Sequence, residues 1–317
     1  MCGIIGIHNH PESATLAYLG LYAQQHRGQE SAGVVTYKDD RFKIHSSMGQ
    51  VSDIFTEEVL ADLNGKSAIG HVRYSTHGES HIKNSQPFMV KYLHGTLAVA
   101  HNGNIVNADK IRKKLEQDGA IFQSNMDTEV IVHLLAKSKK KELVDRIKEV
   151  LAQLEGAFSL LFLTETKMVA ARDKSGFRPL SIGKKENSYV VASETCALDL
   201  IGAKLERDVK PGEIVVIDDN GLESHFYANN EKKNHCIFEY IYFSRPDSIL
   251  NGKTAYEYRK NLGVFLAKES DIKPDVIVPV PDSGVPAALG YSQETNIPFE
   301  LGLIRNHYVG RTFIEPS

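Results

Sequence analysis

Met1-Cys2-Gly3-Ile4-Ile5-Gly6-Ile7-His8 opens the chain. The stretch Cys2 to His8 is short, rich in β-branched residues and bounded by polar ones, which predicts a buried strand beginning at the terminus. Removal of the initiator Met is favoured when the next side chain is small, and it would leave the α-amino group within reach of its own sulfur. That amine titrates near ~7.7–8.0, so part of it is neutral at physiological pH and could act as a general base. Nucleophile and base on one residue is a recognised way to activate a thiol. The plain alternative is a small apolar residue in an edge strand, so position alone does not decide.

Working outward, residues 14–25 carry helical apolar spacing (Leu16, Leu19, Tyr22, Ala23) that ends at Gly28. Strands are predicted at 32–37, 41–46, 67–73 and 96–101. Two or three helices follow between 108 and 153, with Asn107 as the first cap and stripes from Ile111, Leu115, Val130, Ile131, Leu134 and Leu135. Further strands are predicted at 157–163, 167–171, 178–183, 188–192, 213–217 and 222–226. Strands, helices, then strands imply packed sheets with helices outside, an α+β arrangement. Tyr227 to Asn234 is polar and reads as a linker. Beyond it, Cys236 to Phe243 and Asp275 to Pro281 read as strands. Thr254 to Glu269 and a segment to Tyr291 read as helices, and 297–303 as a last strand. That alternation is the start of a parallel α/β sheet, short for a whole domain.

At 317 residues the chain has room for two domains, and 42% hydrophobic with 24% charged residues marks a globular protein. A net charge of -3 argues against a strongly cationic nucleic-acid surface. No apolar run reaches the ~20 residues that would cross a bilayer, and no signal-peptide pattern opens the chain. Three scattered cysteines make no disulfide framework, which points to a reducing, cytoplasmic setting. The run Lys137 to Lys141 is most simply a solvated helix end.

Four clusters follow the opening strand in order: His26-Arg27-Gly28-Gln29-Glu30-Ser31-Ala32-Gly33, Gly70-His71-Val72-Arg73-Tyr74-Ser75-Thr76, His101-Asn102-Gly103-Asn104, and Ser124-Asn125-Met126-Asp127-Thr128-Glu129. Together with Cys2-Gly-Ile-Ile-Gly-Ile they resemble the class II glutamine amidotransferases, N-terminal-nucleophile (Ntn) hydrolases of four-layer αββα fold. The resemblance spans roughly residues 2–230, the glutaminase domain. It implies Cys2 as nucleophile, with Asn102 (side-chain N–H) and Gly103 (backbone N–H) as oxyanion donors. It also implies that glutamine is held by Arg27, Gly28, Arg73, Thr76, His77 and Asp127. Each residue has a blander reading. Arg73 could be a strand arginine in an ion pair. Asp127 could simply favour a helix dipole. Asn102-Gly103 could be a type I′ hairpin turn, and that turn could itself present the donors. Arg27-Gly28 could do no more than end the first helix.

The second half, residues 235–317, carries Cys236-Ile-Phe-Glu-Tyr-Ile-Tyr-Phe-Ser-Arg-Pro-Asp-Ser248 and Val278-Pro-Val-Pro-Asp-Ser-Gly-Val-Pro286. These resemble the amidophosphoribosyltransferase family of purine synthesis, in which ammonia from glutamine displaces pyrophosphate from phosphoribosyl pyrophosphate (PRPP). The resemblance implies a partial type I phosphoribosyltransferase domain, with PRPP met by Asp282, Ser283 and Gly284 at a helix N-terminus. It further implies Mg²⁺ at Ser283, closure by Val309-Gly310-Arg311-Thr312, and a homotetramer. The bland reading of Asp282-Ser283-Gly284 is a strand-to-helix turn capped by Ser283. The family's main PRPP motif, a strand ending in paired aspartates, is not found after the linker, so the chain reads as C-terminally truncated. Val215 to Asp219 looks similar but lies before the linker, and Asn220-Gly221 reads as a hairpin turn. Cys236 matches a [4Fe–4S] ligand in one branch of the family, yet too few cysteines accompany it for a cluster, and a buried structural cysteine is an equal reading. Two other functions stay open: an amidotransferase with another acceptor such as fructose 6-phosphate, or a stand-alone glutaminase or regulatory fragment.

Overall fold

The computed structural model describes residues 2–75, 79–228 and 233–314. It contains two compact units, one running to His235 with a few C-terminal residues, the other Cys236–Phe313.

In the first unit the elements follow in order: β1 (Gly3–His8), α1 (Ser13–Ala23), β2 (Ser31–Lys38), β3 (Arg41–Met48), the short α2 (Val51–Ile54) and α3 (Glu57–Asp62), then β4 (Ser67–Arg73), β5 (Phe88–Tyr92) and β6 (Gly95–Ile105). Three helices come next, α4 (Ala108–Gln117), α5 (Glu129–Lys137) and α6 (Leu143–Leu151). The unit is completed by β7 (Gly156–Leu163), β8 (Met168–Arg172), β9 (Ser181–Lys185), β10 (Ser188–Ala192), α7 (Thr195–Leu200), β11 (Lys204–Asp208), β12 (Glu213–Asp218) and β13 (Gly221–Phe226).

Seven strands form one sheet in the order β11-β9-β10-β1-β4-β2-β3, and six form another, β13-β12-β8-β7-β6-β5. Successive strand side chains face opposite ways. In β1, therefore, Ile5 and Ile7 join Leu16, Leu21, Val34, Val72 and Leu198 in a core under α1 and α7. Ile4 faces the other way, into a second core shared with Ala98, Ala100, Leu161, Ala170 and Val215 of the opposite sheet. A third core joins Val99, Leu160, Phe162 and Val216 to Leu115, Ile131, Leu135 and Ile147 of α4, α5 and α6. Helix, sheet, sheet, helix: the layers are αββα. Burial on both faces explains why β1 reads as an almost unbroken apolar run. A Cβ on Gly6 would lie 2.5 Å from the Met168 sulfur, so a glycine is needed there for the two sheets to approach.

The second unit holds the two-residue strands β14 (Ile249–Leu250) and β15 (Lys253–Thr254), then α8 (Ala255–Glu269) and α9 (Val285–Thr295). Thr254 starts α8 with a capping box: its hydroxyl accepts the Glu257 N–H at 3.2 Å, and the Glu257 carboxylate accepts the Thr254 N–H at 3.0 Å. A Cβ on Gly263 would stand 1.8 Å from the Ala287 carbonyl oxygen, and one on Gly290 2.0 Å from that of Lys260. Backbone packs on backbone at this helix crossing.

Several expectations need correction. Asn102-Gly103 is no turn; both lie inside β6, opposite Ser159 and Phe158 of β7. Asn107 does take the cap position of α4, but its side chain makes no cap bond, bridging instead to Gln153 O and Glu155 N. Cys236 to Phe243 is not a strand but ends in a single wide helical turn, Glu239–Phe243. Arg259 donates to the carbonyls of Tyr240 and Ser244, and Arg311 to those of Tyr242 and Phe243, so cations serve the acceptors a ladder would have used. Residues 275–281 and 297–303 form no strand ladder and share one isolated parallel bridge, Ile277 with Phe299. Gly284, not Ser283, occupies the cap position of α9, with no side-chain cap. The elements α2, α3, β5, α7 and β11, and the two-residue strands β14 and β15, were not expected. Val215 to Ile217 lies in β12, a strand that turns at once into β13.

Candidate active site

In the middle of the first sheet, four neighbouring strands bring their ends together. Ser193 follows β10, Cys2 precedes β1, Arg73 and Tyr74 close β4, and Glu30 precedes β2. The register makes this so: Gly3 pairs with Val72, Ala192 with Ile5, and Ser31 with Arg73. The Cys2 sulfur takes the Tyr74 N–H at 3.5 Å and lies 3.4 Å from the Tyr74 carbonyl oxygen. Its thiol is held against backbone, in a buried position.

Arg27 reaches Cys2 from the turn after α1. Its Nε donates to the Cys2 carbonyl at 2.9 Å, and its Nη1 is ion-paired with Glu194. His26 Nε2 meets the same Glu194 oxygen at 2.8 Å. Arg27 is fully buried, so the pair must hold: removing one partner of a buried ion pair costs about 3–5 kcal/mol. Gly28 lies where a Cβ would meet the Arg73 backbone carbonyl at 2.5 Å, a space only glycine fits.

Arg73 is buried and ion-paired with Glu30 through Nη1, while the second Glu30 oxygen accepts the Ser75 N–H at 2.9 Å. The bland reading of Arg73 as an ion-paired arginine is thus partly right, though the pair is buried rather than solvent-exposed. Glu30 is the partner sequence reasoning overlooked. Thr76 and His77, the two further residues expected here, lie outside the described residues.

The second sheet supplies the rest. Asn102 is fully buried, its Nδ2 3.4 Å from Ser193 Oγ and its Oδ1 without a hydrogen-bond partner. A Cβ at Gly103 would meet the Ala157 carbonyl oxygen at 2.1 Å. Asp127 precedes α5 and is not in its first turn; its Oδ2 accepts the Ile105 N–H at 2.9 Å. Its other oxygen lies 3.5 Å from His101 Nδ1. The loop carrying Asp127 is tied by Glu129, which accepts from Gln123 N, Ser124 N and Ser124 Oγ at 2.6–2.8 Å. Burial pushes the Glu129 carboxyl up, but His133, Ser124 and the Gln123 N–H outweigh it and hold it below its ordinary value.

His71 bridges the sheets, its Nε2 3.0 Å from the His101 carbonyl oxygen. Burial, aided by nearby Arg73 and only partly opposed by that carbonyl, lowers its pKa to about 3. It is therefore neutral and donates through Nε2.

The structure so gathers Cys2, Arg27, Gly28 and Arg73 into one contact network, with Asn102 joined to it through Ser193. Glu194, Glu30 and Ser193 were not anticipated. Glu30 sits within a quoted cluster, but Glu194 is 167 residues from its partner Arg27, a separation no local pattern spans.

Asp282, Ser283 and Gly284 belong to the second unit. The Asp282 carboxylate is paired with Arg305 Nε at 2.7 Å. Among the described residues no group of three or more His, Cys, Asp or Glu could hold a metal ion. One carboxylate already paired with arginine, beside one hydroxyl, does not fit a resident Mg²⁺ site, since that ion asks for octahedral oxygen ligands. Nor do the residues fit an iron–sulfur cluster, which takes four thiolates. The sequence has three cysteines, and Cys196 is buried with its sulfur 3.7 Å from the Ala23 carbonyl.

Residues 71–200 match the model of a glutamine amidotransferase domain family. Over its full length the chain is 52% identical to the chloroplastic amidophosphoribosyltransferase of Vigna aconitifolia, covering 65% of it. It is 48% identical to the amidophosphoribosyltransferase of Bacillus subtilis (strain 168), covering 67%. A solved structure described as the allosteric regulatory enzyme of purine biosynthesis matches with a TM-score of 0.95 and 48% identity, over all of this chain and 68% of that one. A B. subtilis glutamine PRPP amidotransferase complexed with ADP and GMP matches with a TM-score of 0.93, again at 48% identity. The chain spans 56–65% of the length of the plant relatives it matches first.

Proposed function

Because the chain belongs to the amidophosphoribosyltransferase family, we propose that its first unit hydrolyses glutamine at Cys2 and that its second is the beginning of the half that uses PRPP. The domains we assign are 2–230 and 235–317.

The chemistry follows from the residues. The α-amine of a Met1-free Cys2 takes the thiol proton, and the sulfur attacks the amide carbon of glutamine. Charge then builds on the amide oxygen, where the Asn102 side chain and the Gly103 N–H would receive it. The oxyanion collapses, the C–N bond breaks, and the amine proton leaves with ammonia. Water next attacks the thioester carbon and releases glutamate, returning the thiol. Arg73 would grip the substrate carboxylate, its guanidinium plane set by Glu30, with Thr76 and His77 assisting. Asp127 would take the ammonium. Arg27 and Gly28 would wall the glutamine pocket, and Arg27 Nε holds the Cys2 carbonyl.

The observation that carries this reading is the buried convergence, at one end of neighbouring strands, of Cys2, whose carbonyl Arg27 holds, with the Arg27–Glu194 and Arg73–Glu30 pairs. The test is alkylation by 6-diazo-5-oxo-norleucine, a glutamine-mimicking diazoketone, followed by peptide mass spectrometry. Label on Cys2 is expected, with none on Cys196 or Cys236; label elsewhere while hydrolysis persists would remove Cys2 from its role.

Ammonia so released would attack C1 of PRPP in a complete family member, with Mg²⁺ brought by the substrate phosphates. An acceptor such as fructose 6-phosphate is the weaker reading, since the whole chain aligns with amidophosphoribosyltransferases. No helix among the described residues is long and apolar enough to cross a membrane. From the scattered cysteines we assign a cytoplasmic, reducing location. By resemblance we also assign the complete protein to a homotetramer.

A further inference from the structure

Ser193 follows β10 directly and is fully buried. Its oxygen accepts the Ile4 N–H at 3.0 Å, and its own N–H donates to the Ile4 carbonyl at 3.0 Å. The hydroxyl is thus fastened to the strand that carries the nucleophile. On its other side it meets the Asn102 amide, Nδ2 to Oγ at 3.4 Å, a long contact. Asn102 Oδ1 is the buried orphan.

A hydroxyl gives one proton as well as accepting. Here two N–H groups point at Ser193 Oγ, and among the described residues no acceptor takes its proton. An acceptor lacking a donor therefore sits on the amide next to a donor lacking an acceptor. Half a turn of that amide resolves both: Oδ1 accepts the Ser193 O–H, and Nδ2 takes the orphan's place. The unsatisfied group is then an N–H, which is what a developing oxyanion requires.

We propose that Ser193 is a positioning residue that fixes the Asn102 amide with its N–H offered to the reacting carbonyl, coupling the oxyanion donor to the Cys2 strand. This rests on the assignment of Asn102 as an oxyanion donor.

Steady-state glutamine hydrolysis by the 317-residue chain tests it. Losing a whole donor costs roughly 10²–10³ in kcat, and losing its alignment should cost about tenfold, with KM nearly unchanged. Ser193→Ala should show that split, and Ser193→Thr, which keeps the hydroxyl, should recover most of kcat. Ser193→Cys, a weak donor of similar size, carries the same expectation as alanine if Ser193→Ala does not fold. In an Asn102→Ala background, Ser193→Ala should cost nothing further. A normal kcat in Ser193→Ala, or the full loss repeated in the double variant, overturns the positioning role and leaves Asn102 standing. A normal kcat in Asn102→Ala overturns the donor assignment and this proposal with it. For slow turnover, the rate of Cys2 alkylation by the diazoketone gives the same ratios, and a chain that neither hydrolyses nor is alkylated overturns both.

Discussion

Arg73 and Asn102 are both buried, but their substitution should register in different kinetic constants. A residue that grips the substrate carboxylate binds ground state and transition state alike, so its loss raises KM. Arg73→Ala and Asp127→Ala should each raise the glutamine KM sharply, since stranding a buried charge partner costs about 2–5 kcal/mol. Asn102→Ala should instead lower kcat by roughly 10²–10³ with KM little changed. Steady-state kinetics separates the two, and a KM effect without a kcat effect at Asn102 would remove it from the oxyanion site. His71 supports a stability prediction. Its folded pKa of about 3 lies below the ordinary 6.5, so between those values the unfolded chain takes a proton that the folded one refuses. Stability therefore falls as pH drops through that window, by up to about 1.36 kcal/mol per pH unit from this group. His71→Gln, which keeps an N–H for the His101 carbonyl, should flatten that slope in urea titrations at pH 7, 6 and 5. An unchanged slope would mean that His71 is protonated in the fold.

Elements differ in how openly the sequence declares them. Most strands of the first unit, though not β5 and β11, were legible because apolar residues recur at the period of a sheet, and β1 needed no alternation because both its faces are covered. Asn102-Gly103 misled because the dipeptide's turn signal is local, while the close approach of β7 that demands a glycine there is not. Cys236 to Phe243 misled for a similar reason, since Arg259 and Arg311 claim its carbonyls from later in the chain. The candidate site was legible in its reacting groups and opaque in their supports. Glu194 and Ser193 act only through partners that folding brings to them. Crossing helices offer a direct test of an element that local pattern does not reveal. Gly263→Ala would press a methyl against the Ala287 carbonyl oxygen, 1.8 Å from the added carbon, so α8 and α9 must part. Overpacking of this kind costs about 1–3 kcal/mol. Limited proteolysis should then cut residues 236–313 faster while glutamine hydrolysis stays as it was. Equal cleavage rates would show that the crossing adapts, and lost hydrolysis would show that Cys2 chemistry depends on the second unit.

For the molecule as a whole, the question is whether these 317 residues transfer a phosphoribosyl group or only release glutamate. Every residue assigned to glutamine lies before position 130, within one αββα unit whose three cores are closed. The second unit offers much less. Asp282 is engaged with Arg305, Ser283 caps nothing, and residues 275–281 and 297–303 share a single bridge. Val280, Leu301 and Ile304 are 59–74% exposed, an apolar surface of the kind that invites association. No strand ending in paired aspartates follows the linker, and Val215 to Asp219 cannot stand in, because it runs through β12 of the second sheet into a hairpin. A polyanion such as PRPP, with its Mg²⁺, would find one hydroxyl and few backbone N–H groups, since that of Gly284 already donates to the Val280 carbonyl at 3.1 Å, too little to replace its water. The expected outcome is slow glutamate release from a Met1-free preparation, unchanged by PRPP and without pyrophosphate. A coupled assay with glutamine, Mg²⁺ and PRPP measures both products at once. Pyrophosphate matching glutamate would mean that Asp282 leaves Arg305 and that ligands outside those identified complete a PRPP site. No glutamate from a folded, Met1-free chain whose Cys2 is still alkylated by the diazoketone would mean that the site at Cys2 turns over only with structure these residues do not contain.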